Sequence, residues 1–140
     1  MREYKIRVWS YFNNRIGYIM SYYNLKDSDI MYNFYFKEDC KMTQYTGHKD
    51  VNGKEIYEGD IVKFHTFKDR FNGKVGIVKY GIYDFSHCDE YDCSHEGYYV
   101  DYNHNNYCEN TGFPLYYNWI KYEVIGNIFQ NPDLINNIRR

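Results

Sequence analysis

The predicted fold is decided by residues 59–80, which read GDIVKFHTFKDRFNGKVGIVKY. A β-rich run over residues 61–64 is followed by a turn signal at Asn72-Gly73 and by a second β-rich run over residues 74–80. An Asn-Gly pair favours a tight turn because both residues tolerate a positive φ angle. Short apolar runs separated by such turns are typical of a small barrel or sandwich.

Further strand signals occur on both sides of this stretch. Residues 4–9 alternate with a period of two, and Asn13-Asn14 predicts a turn into a hairpin partner from Arg15 to Met20. The region from Thr46 to Lys54 is dense in turn-forming residues. The other predicted strands cover residues 31–36, 98–102, 116–121 and 122–129.

A short helix is predicted at the C-terminus. Asn131-Pro132-Asp133 combines a helix cap, a proline at the first helical position and an acid in the first turn. Leu134, Ile135 and Ile138 would then share one helical face.

The composition favours the same fold class. Tyr and Phe account for 28 of the 140 residues, whereas Ala is absent and Leu occurs three times. Tyr, Phe, Ile and Val favour strands, and a helical bundle depends on Ala and Leu. We therefore expect one mainly β domain.

The sequence shows no signal for membrane insertion or secretion. Its uninterrupted apolar runs are a few residues long, whereas a spanning helix needs about 20. The first five residues, MREYK, alternate in charge and lack an apolar core. We therefore expect a cytoplasmic protein whose four cysteines are reduced.

Three blocks of sequence resemble one known family. The stretch from Thr46 to Lys63, TGHKDVNGKEIYEGDIVK, is similar to the signature block of the YopX family of phage and prophage proteins. Residues 122–128 followed by Asn131-Pro132 resemble its C-terminal block, and residues 5–9 resemble its first strand. His48 departs from the family pattern, which usually has an apolar residue there.

The resemblance implies a β-rich fold with an SH3-like barrel in a protein carried by a tailed phage, and it implies no activity. On this basis we expect one YopX-like domain over residues 1–140. An N-terminal β-hairpin region would cover residues 1–45, the SH3-like small barrel 46–130 and the short helix 131–140. The segment from about 84 to 110 has no recognised family counterpart and is interpreted as an acidic insertion.

Charge is unevenly distributed, although the net charge is only -2. Residues 80–120 contain seven acids and no Lys or Arg. Tyrosines lie among these acids, and Tyr is favoured at protein interfaces because it buries a large area at a small entropic cost. The predicted partner-binding residues are Tyr91, Tyr98, Tyr99, Tyr102, Tyr107, Asp89, Glu90 and Asp92.

The same segment contains a candidate metal site. Cys88 and Cys93, together with His104 and Cys108, offer two short-spaced pairs of zinc ligands. Their spacing matches no established zinc finger, and free thiols on a polar surface excursion are the preferred explanation. We expect no resident cofactor and keep zinc as an open alternative.

No catalytic motif is present. The sequence lacks the P-loop, GxGxxG, GxSxG and HExxH patterns. Asp50 and Asp60 lie beside turn glycines, where Asx turns explain them. We therefore expect that the protein is not an enzyme.

Single-stranded nucleic-acid binding is the alternative function. Alternation over residues 62–67 places Lys63, His65 and Phe67 on one face, and Lys68 and Arg70 follow. A cationic, aromatic face can bind single strands, but a pI near 6.2 opposes binding to phosphate.

The predicted function is that of a phage-encoded, non-catalytic protein-binding module. Its expected partner is a host or phage protein, met in the bacterial cytoplasm during infection or lysogeny. Assembly with further copies of the chain is an alternative way to cover aromatic sheet edges.

Overall fold

The computed structural model describes residues 5–11, 18–24, 40–67, 71–85, 94–102, 111–116 and 120–134. These residues are mostly β, which confirms the predicted fold class. The strands are β1 (Lys5–Tyr11), β2 (Tyr18–Asn24), β3 (Cys40–Lys49), β4 (Glu55–Tyr57), β5 (Asp60–His65), β6 (Val75–Phe85), β7 (Ser94–Asp101), β8 (Thr111–Pro114) and β9 (Lys121–Asn127).

The first sheet has the order β2-β1-β3-β4 and is antiparallel throughout. β1 pairs with β2 from Lys5↔Asn24 to Tyr11↔Tyr18, which confirms an N-terminal hairpin. Its second strand begins at Tyr18 and not at Arg15, because the register leaves residues 12–17 as the connection. That connection, which includes the predicted turn, lies outside the described residues.

The second sheet has the order β7-β8-β6-β5-β9 and holds the core. Alternation along β5 is confirmed, since Val62 and Phe64 are fully buried while Lys63 and His65 are exposed. The Phe64 ring packs edge-on against Tyr122 at a centroid distance of 5.4 Å. The buried cluster consists of Ile56, Val62, Phe64, Phe71, Val78, Val100, Phe113, Leu115, Ile120 and Tyr122.

The turn before β4 is shorter than predicted. β3 continues to Lys49, so the loop occupies only residues 50–54. The buried Asp50 explains this, because its Oδ1 accepts the backbone N–H groups of Asn52 and Lys54, both at 2.8 Å. Its Oδ2 accepts the N–H of Val124 at 2.9 Å. The predicted Asx turn at Asp50 is confirmed, and the carboxylate also fixes the loop to β9.

Asp60 forms a buried ion pair, which the turn interpretation of this residue missed. Its Oδ1 lies 2.6 Å from Nη1 of Arg7, and both side chains are at most 5% exposed. The backbone N–H of Tyr57 donates to Oδ2 at 2.8 Å, and the Arg7 guanidinium lies 4.5 Å from the Tyr57 ring centroid. Because Arg7 is on β1 and Asp60 begins β5, this pair joins the two sheets.

The register of β8 shows that the β6–β7 hairpin curves back on itself. Gly112 of β8 pairs with Asp101 of β7 and also with Phe85 of β6. Asp101, however, also pairs with Ile77. A straight strand would separate Ile77 from Phe85 by about 26 Å, so β6 must bend strongly between them.

Two glycines allow this bend. Gly81 and Gly97 lie directly opposite each other in the ladder, with φ angles of 154° and 153°. Residues with a side chain rarely adopt such angles, which are essentially confined to glycine. The bend therefore follows from a glycine pair in the middle of the hairpin.

The C-terminal part differs from prediction in one strand. The predicted strand 116–121 does not form as such, since Tyr116 is in a turn, Ile120 is outside any strand and β9 begins at Lys121. Residues 132–134 are helical and agree with the predicted helix start. The rest of that helix and the predicted strand 31–36 lie outside the described residues, and closure into an SH3-like barrel stays a prediction.

Candidate partner-binding surface

Two tyrosines beside the glycine pair form an exposed aromatic corner. Tyr80 and Tyr98 are cross-strand neighbours, and their rings meet at 67° with centroids 4.9 Å apart. Tyr80 is 54% exposed. Tyr98 is half-buried and held in place, since its hydroxyl donates to Oε1 of Gln44 at 3.1 Å.

This corner opens into a cavity of about 410 Å³ between the end of β3 and the β6–β7 hairpin. Four tyrosines, one histidine and one carboxylate line it, and we call this cavity the tyrosine groove. Its principal lining residues are Tyr80, Tyr83, Tyr98, Tyr116, His48 and Glu96.

Tyr83 forms the buried floor of the tyrosine groove. Its ring is 2% exposed and stacks on Tyr99 at 4.6 Å with an interplanar angle of 14°. Burial raises the pKa of the Tyr83 hydroxyl, and a hydrogen bond with Tyr116 adds to this effect. Burial also raises the pKa of Tyr99. Both phenols are therefore neutral under ordinary conditions, and the floor is a fixed, uncharged platform.

The electrostatic character of the tyrosine groove is mildly acidic. Glu96 is exposed on its wall and faces Ile82 across the ladder. Asp84 is also exposed on the hairpin and accepts a hydrogen bond from the Ser94 hydroxyl at 3.2 Å. Among the described residues, the lining includes no Lys or Arg. The groove therefore presents aromatic faces and a carboxylate to solvent.

Comparison with protein families matches residues 3–136 to the model described as YopX protein. The chain belongs to the YopX family. The resemblance found in three blocks of the sequence is thus confirmed over nearly the whole chain.

The YopX-family chain is also similar to a protein of known structure. The crystal structure of protein EF1440 from Enterococcus faecalis has 23% sequence identity and a TM-score of 0.45. The match covers 94% of this chain and 97% of that one. No curated protein matches the sequence.

The predicted partner-binding residues of this YopX-family chain have three different outcomes. Tyr98 lines the tyrosine groove. Tyr99 is 3% exposed, so its prediction as a contact residue is wrong, because its ring packs inside the fold on Tyr83. Tyr102 is half-buried and stacks on Phe113 at 5.1 Å, which places it against the core. The others lie outside the described residues: Tyr91, Tyr107, Asp89, Glu90 and Asp92.

The candidate zinc ligands Cys88, Cys93, His104 and Cys108 all lie outside the described residues. Within the part of the chain that the structure describes, no group of three or more His, Cys, Asp or Glu side chains is arranged to hold a metal ion. Zinc binding by the YopX-family chain therefore stays a prediction.

The face proposed for nucleic acid is present but mixed in charge. Lys63 and His65 are exposed on one side of β5, and Phe67, two residues beyond its end, is 89% exposed. Nε2 of His65 lies 2.9 Å from Oε1 of Glu123. This neighbouring carboxylate reduces the attraction of the face for phosphate. Lys68 and Arg70 lie outside the described residues.

A second cavity of about 410 Å³ contains a half-buried carboxyl. Glu58 lines it together with Lys79, Ile77 and Phe129. Burial raises the pKa of Glu58, while Nζ of Lys79 lies 2.7 Å from Oδ2 of Asp101. A raised pKa alone does not define an acid–base site, because a catalytic group needs a partner within hydrogen-bond reach of its substrate.

Sequence reasoning missed Tyr80, Ile82 and Tyr116, which are 54%, 66% and 63% exposed. Alternation from the buried Val78 would place Tyr80 and Ile82 on the core face. The burial pattern of β6 loses its period of two around Gly81, since Val78 and Tyr83, an odd number of positions apart, are both buried. A glycine directly after the predicted strand 74–80 is the signal that could have indicated this.

No helix among the residues that the structure describes is both long and apolar enough to cross a bilayer.

Proposed function

We propose that this YopX-family chain is a phage-encoded, non-catalytic protein-binding module that acts in the bacterial cytoplasm. The tyrosine groove would contact a host or phage protein. The observation that carries the proposal is the exposure of Tyr80 and Tyr116 on the lining of a shaped cavity. Exposed Tyr at a concave site supports protein binding because it buries a large area at a small entropic cost.

Asp50 and Asp60, the acids considered above as catalytic candidates, have structural roles in the fold. This supports a non-catalytic function. Asp50 accepts three backbone N–H groups, and Asp60 pairs with Arg7. Neither carboxylate faces the tyrosine groove. The proposal includes an SH3-like barrel as the scaffold of the groove. The strong bend of β6 supports this part of the proposal. Self-association through the same groove is a variant of the proposal in which the partner is a second copy.

Affinity capture from lysate of host cells, with and without phage infection, tests the function. The full chain is compared with Tyr80→Ser and with the double variant Tyr80→Ser/Tyr116→Ser. Phe67→Ser is the matched control, because Phe67 is an exposed aromatic residue outside the groove. We expect one specific protein that the groove variants lose and that the control retains.

Two results would count against this function. One is the absence of any reproducible protein in captures by the wild-type chain. The other is a captured protein that the groove variants bind as well as wild type, provided that circular dichroism shows these variants to be folded. Sedimentation of the purified chain shows separately whether the partner is another copy.

Single-stranded nucleic-acid binding is the second candidate, and the exposed row of Lys63, His65 and Phe67 supports it. Binding there would be salt-sensitive because lysine contacts to phosphate release counterions. A labelled oligonucleotide should shift at low salt, and Lys63→Ala should weaken the shift. No shift at low salt would remove this candidate.

We propose no resident cofactor, with zinc at Cys88, Cys93, His104 and Cys108 as the alternative. That site predicts about one zinc per purified chain and a loss of thermal stability in chelator. Elemental analysis with a melting curve in chelator measures both. Metal-free protein that melts identically with and without chelator would contradict zinc binding.

A further inference from the structure

We propose that the tyrosine groove binds the guanidinium group of an arginine side chain on a basic partner segment. The proposal rests on the protein-binding function above and names the chemistry of the partner. It concerns the described part of the groove, formed by β3, β6, β7 and Tyr116.

The arrangement of the rings suits a planar cation. Tyr80 and Tyr98 meet at 67° with centroids 4.9 Å apart, so they form two walls of a corner. Tyr116 lines the same cavity and is 63% exposed. The face of an aromatic ring carries a partial negative charge and attracts a cation placed within about 6 Å of its centre. Several tyrosine faces around one cavity therefore favour a cationic side chain.

The carboxylate of Glu96 adds the charge that selects a cation over a neutral group. Glu96 lines the cavity and is exposed, and Asp84 is exposed on the same hairpin. Lys79, the cation at the inner end of the hairpin, is matched by Asp101 at 2.7 Å. Residues 80–120 contain seven acids and no Lys or Arg. The carboxylates of Glu96 and Asp84 complement a basic segment and disfavour nucleic acid.

Arginine fits this site better than lysine. A guanidinium is planar, stacks on aromatic faces and can donate two parallel hydrogen bonds to one carboxylate. It is also less strongly hydrated than an ammonium group, so burial between rings costs less. The fixed hydroxyl of Tyr98, bonded to Gln44, keeps one wall in place before the ligand arrives. Such preorganisation lowers the entropic cost of binding.

Nuclear magnetic resonance titration of the ¹⁵N-labelled full chain tests the inference. The probe is the peptide acetyl-Gly-Gly-Arg-Gly-Gly-amide, added at millimolar concentrations at pH 8, where imidazoles of ordinary pKa are neutral. Its matched control carries citrulline in place of arginine, which keeps the shape and removes the charge. We expect the arginine peptide to shift the amides of Gly81 and Gly97, and the citrulline peptide to bind at least about threefold more weakly.

Protein variants locate the contact. Tyr80→Leu keeps an apolar side chain but removes the aromatic face, and Glu96→Gln keeps the shape but removes the charge. Each should raise the dissociation constant of the arginine peptide towards that of the citrulline peptide. Phe67→Leu, outside the groove, should leave it unchanged.

Equal affinity for the two peptides, or shifts confined to residues away from Gly81 and Gly97, would overturn the inference. These results differ from those that would refute the proposed protein-binding function. In that case the lysate would yield no captured protein, or Tyr80→Ser would capture it as well as wild type. Groove-dependent capture together with equal peptide affinities would leave the protein-binding function standing and remove only the arginine specificity.

Discussion

The carboxylate of Asp60 is 1% exposed and pairs at 2.6 Å with the guanidinium of Arg7, whose side chain is 5% exposed. The two charges compensate each other only while both are present. Removal of one partner leaves the other buried and unpaired, which is far more costly than replacing both by apolar groups.

A double-mutant cycle at this pair should therefore be strongly non-additive. We expect Arg7→Met to lower the free energy of unfolding by about 3–5 kcal/mol, because it leaves the Asp60 charge buried without a cation. Asp60→Asn should cost less, because the raised pKa of Asp60 means that the fold tolerates a neutral group there. The double variant should lose much less than the sum, because no unpaired charge remains. Urea unfolding of the four proteins measures the coupling, and Lys63→Met, an exposed cation on β5, controls for loss of positive charge. Additive losses would show that the pair is not energetically coupled.

The pH dependence of stability should carry the signature of Asp60. Burial raises the pKa of Asp60, and Arg7 opposes the shift without cancelling it. The native state thus holds the proton more tightly than the unfolded chain, whose pKa lies near 3.8. The contribution of this group to stability should fall as the pH rises from about 3.8 to the raised native pKa, and then stay constant.

Chemical denaturation of wild type and Asp60→Asn at several pH values measures this contribution as a difference curve. Asp133→Asn, an exposed acid in the C-terminal helix, controls for general charge effects. The free energy of unfolding of wild type should fall relative to that of Asp60→Asn as the pH rises through this window. A rise would contradict the prediction.

Residue-level prediction from sequence succeeded where neighbours along the chain decide the outcome. Val62, Phe64, Lys63 and His65 alternate as expected because a strand has a fixed period of two. A period of two along residues 4–9 places Arg7 on the face opposite Ile6, yet both are buried. The partner that neutralises Arg7 is distant in the sequence, and no local pattern could reveal it.

At the scale of the element, the β6–β7 hairpin depends on its glycine pair. Gly81→Val and Gly97→Val should each destabilise the protein by about 1–3 kcal/mol, because the φ angles near 154° are essentially confined to glycine. A Cβ at either position would meet nothing within 4 Å, so the cost arises from the backbone and not from a clash.

Thermal unfolding of these variants measures the cost, with Glu96→Val as the control in the same hairpin. The control should change stability little, since Glu96 is exposed in an ordinary strand position. Unchanged stability in both glycine variants would show that the bend does not need glycine. Sequence reasoning predicted strand segments over residues 74–80 and 98–102 here, but it did not predict the bend or the continuation of β6 to Phe85.

At the scale of the whole molecule, the division into residues 1–45 and 46–130 does not correspond to separable packing. β3 begins in the first range and ends in the second, and it pairs with both β1 and β4. Arg7 contributes the positive charge opposite Asp60. We therefore expect a chain lacking residues 1–45 to lose cooperative unfolding.

Circular dichroism and a thermal melt of the truncated chain test this expectation against the full chain. Arg7→Met is the control, because it removes the guanidinium and keeps the strands. It separates the effect of losing the charge from the effect of losing the strands. A truncated chain that melts cooperatively near the temperature of the full chain would establish an independent C-terminal domain.

The Arg7–Asp60 contact also has a consequence for how this sequence can diverge. A change at either position alone would leave one buried charge without its ion-pair partner. Viable lineages should therefore change both positions together or neither. In an alignment of relatives, positions 7 and 60 should therefore covary, whereas exposed positions such as Lys63 should drift independently of either.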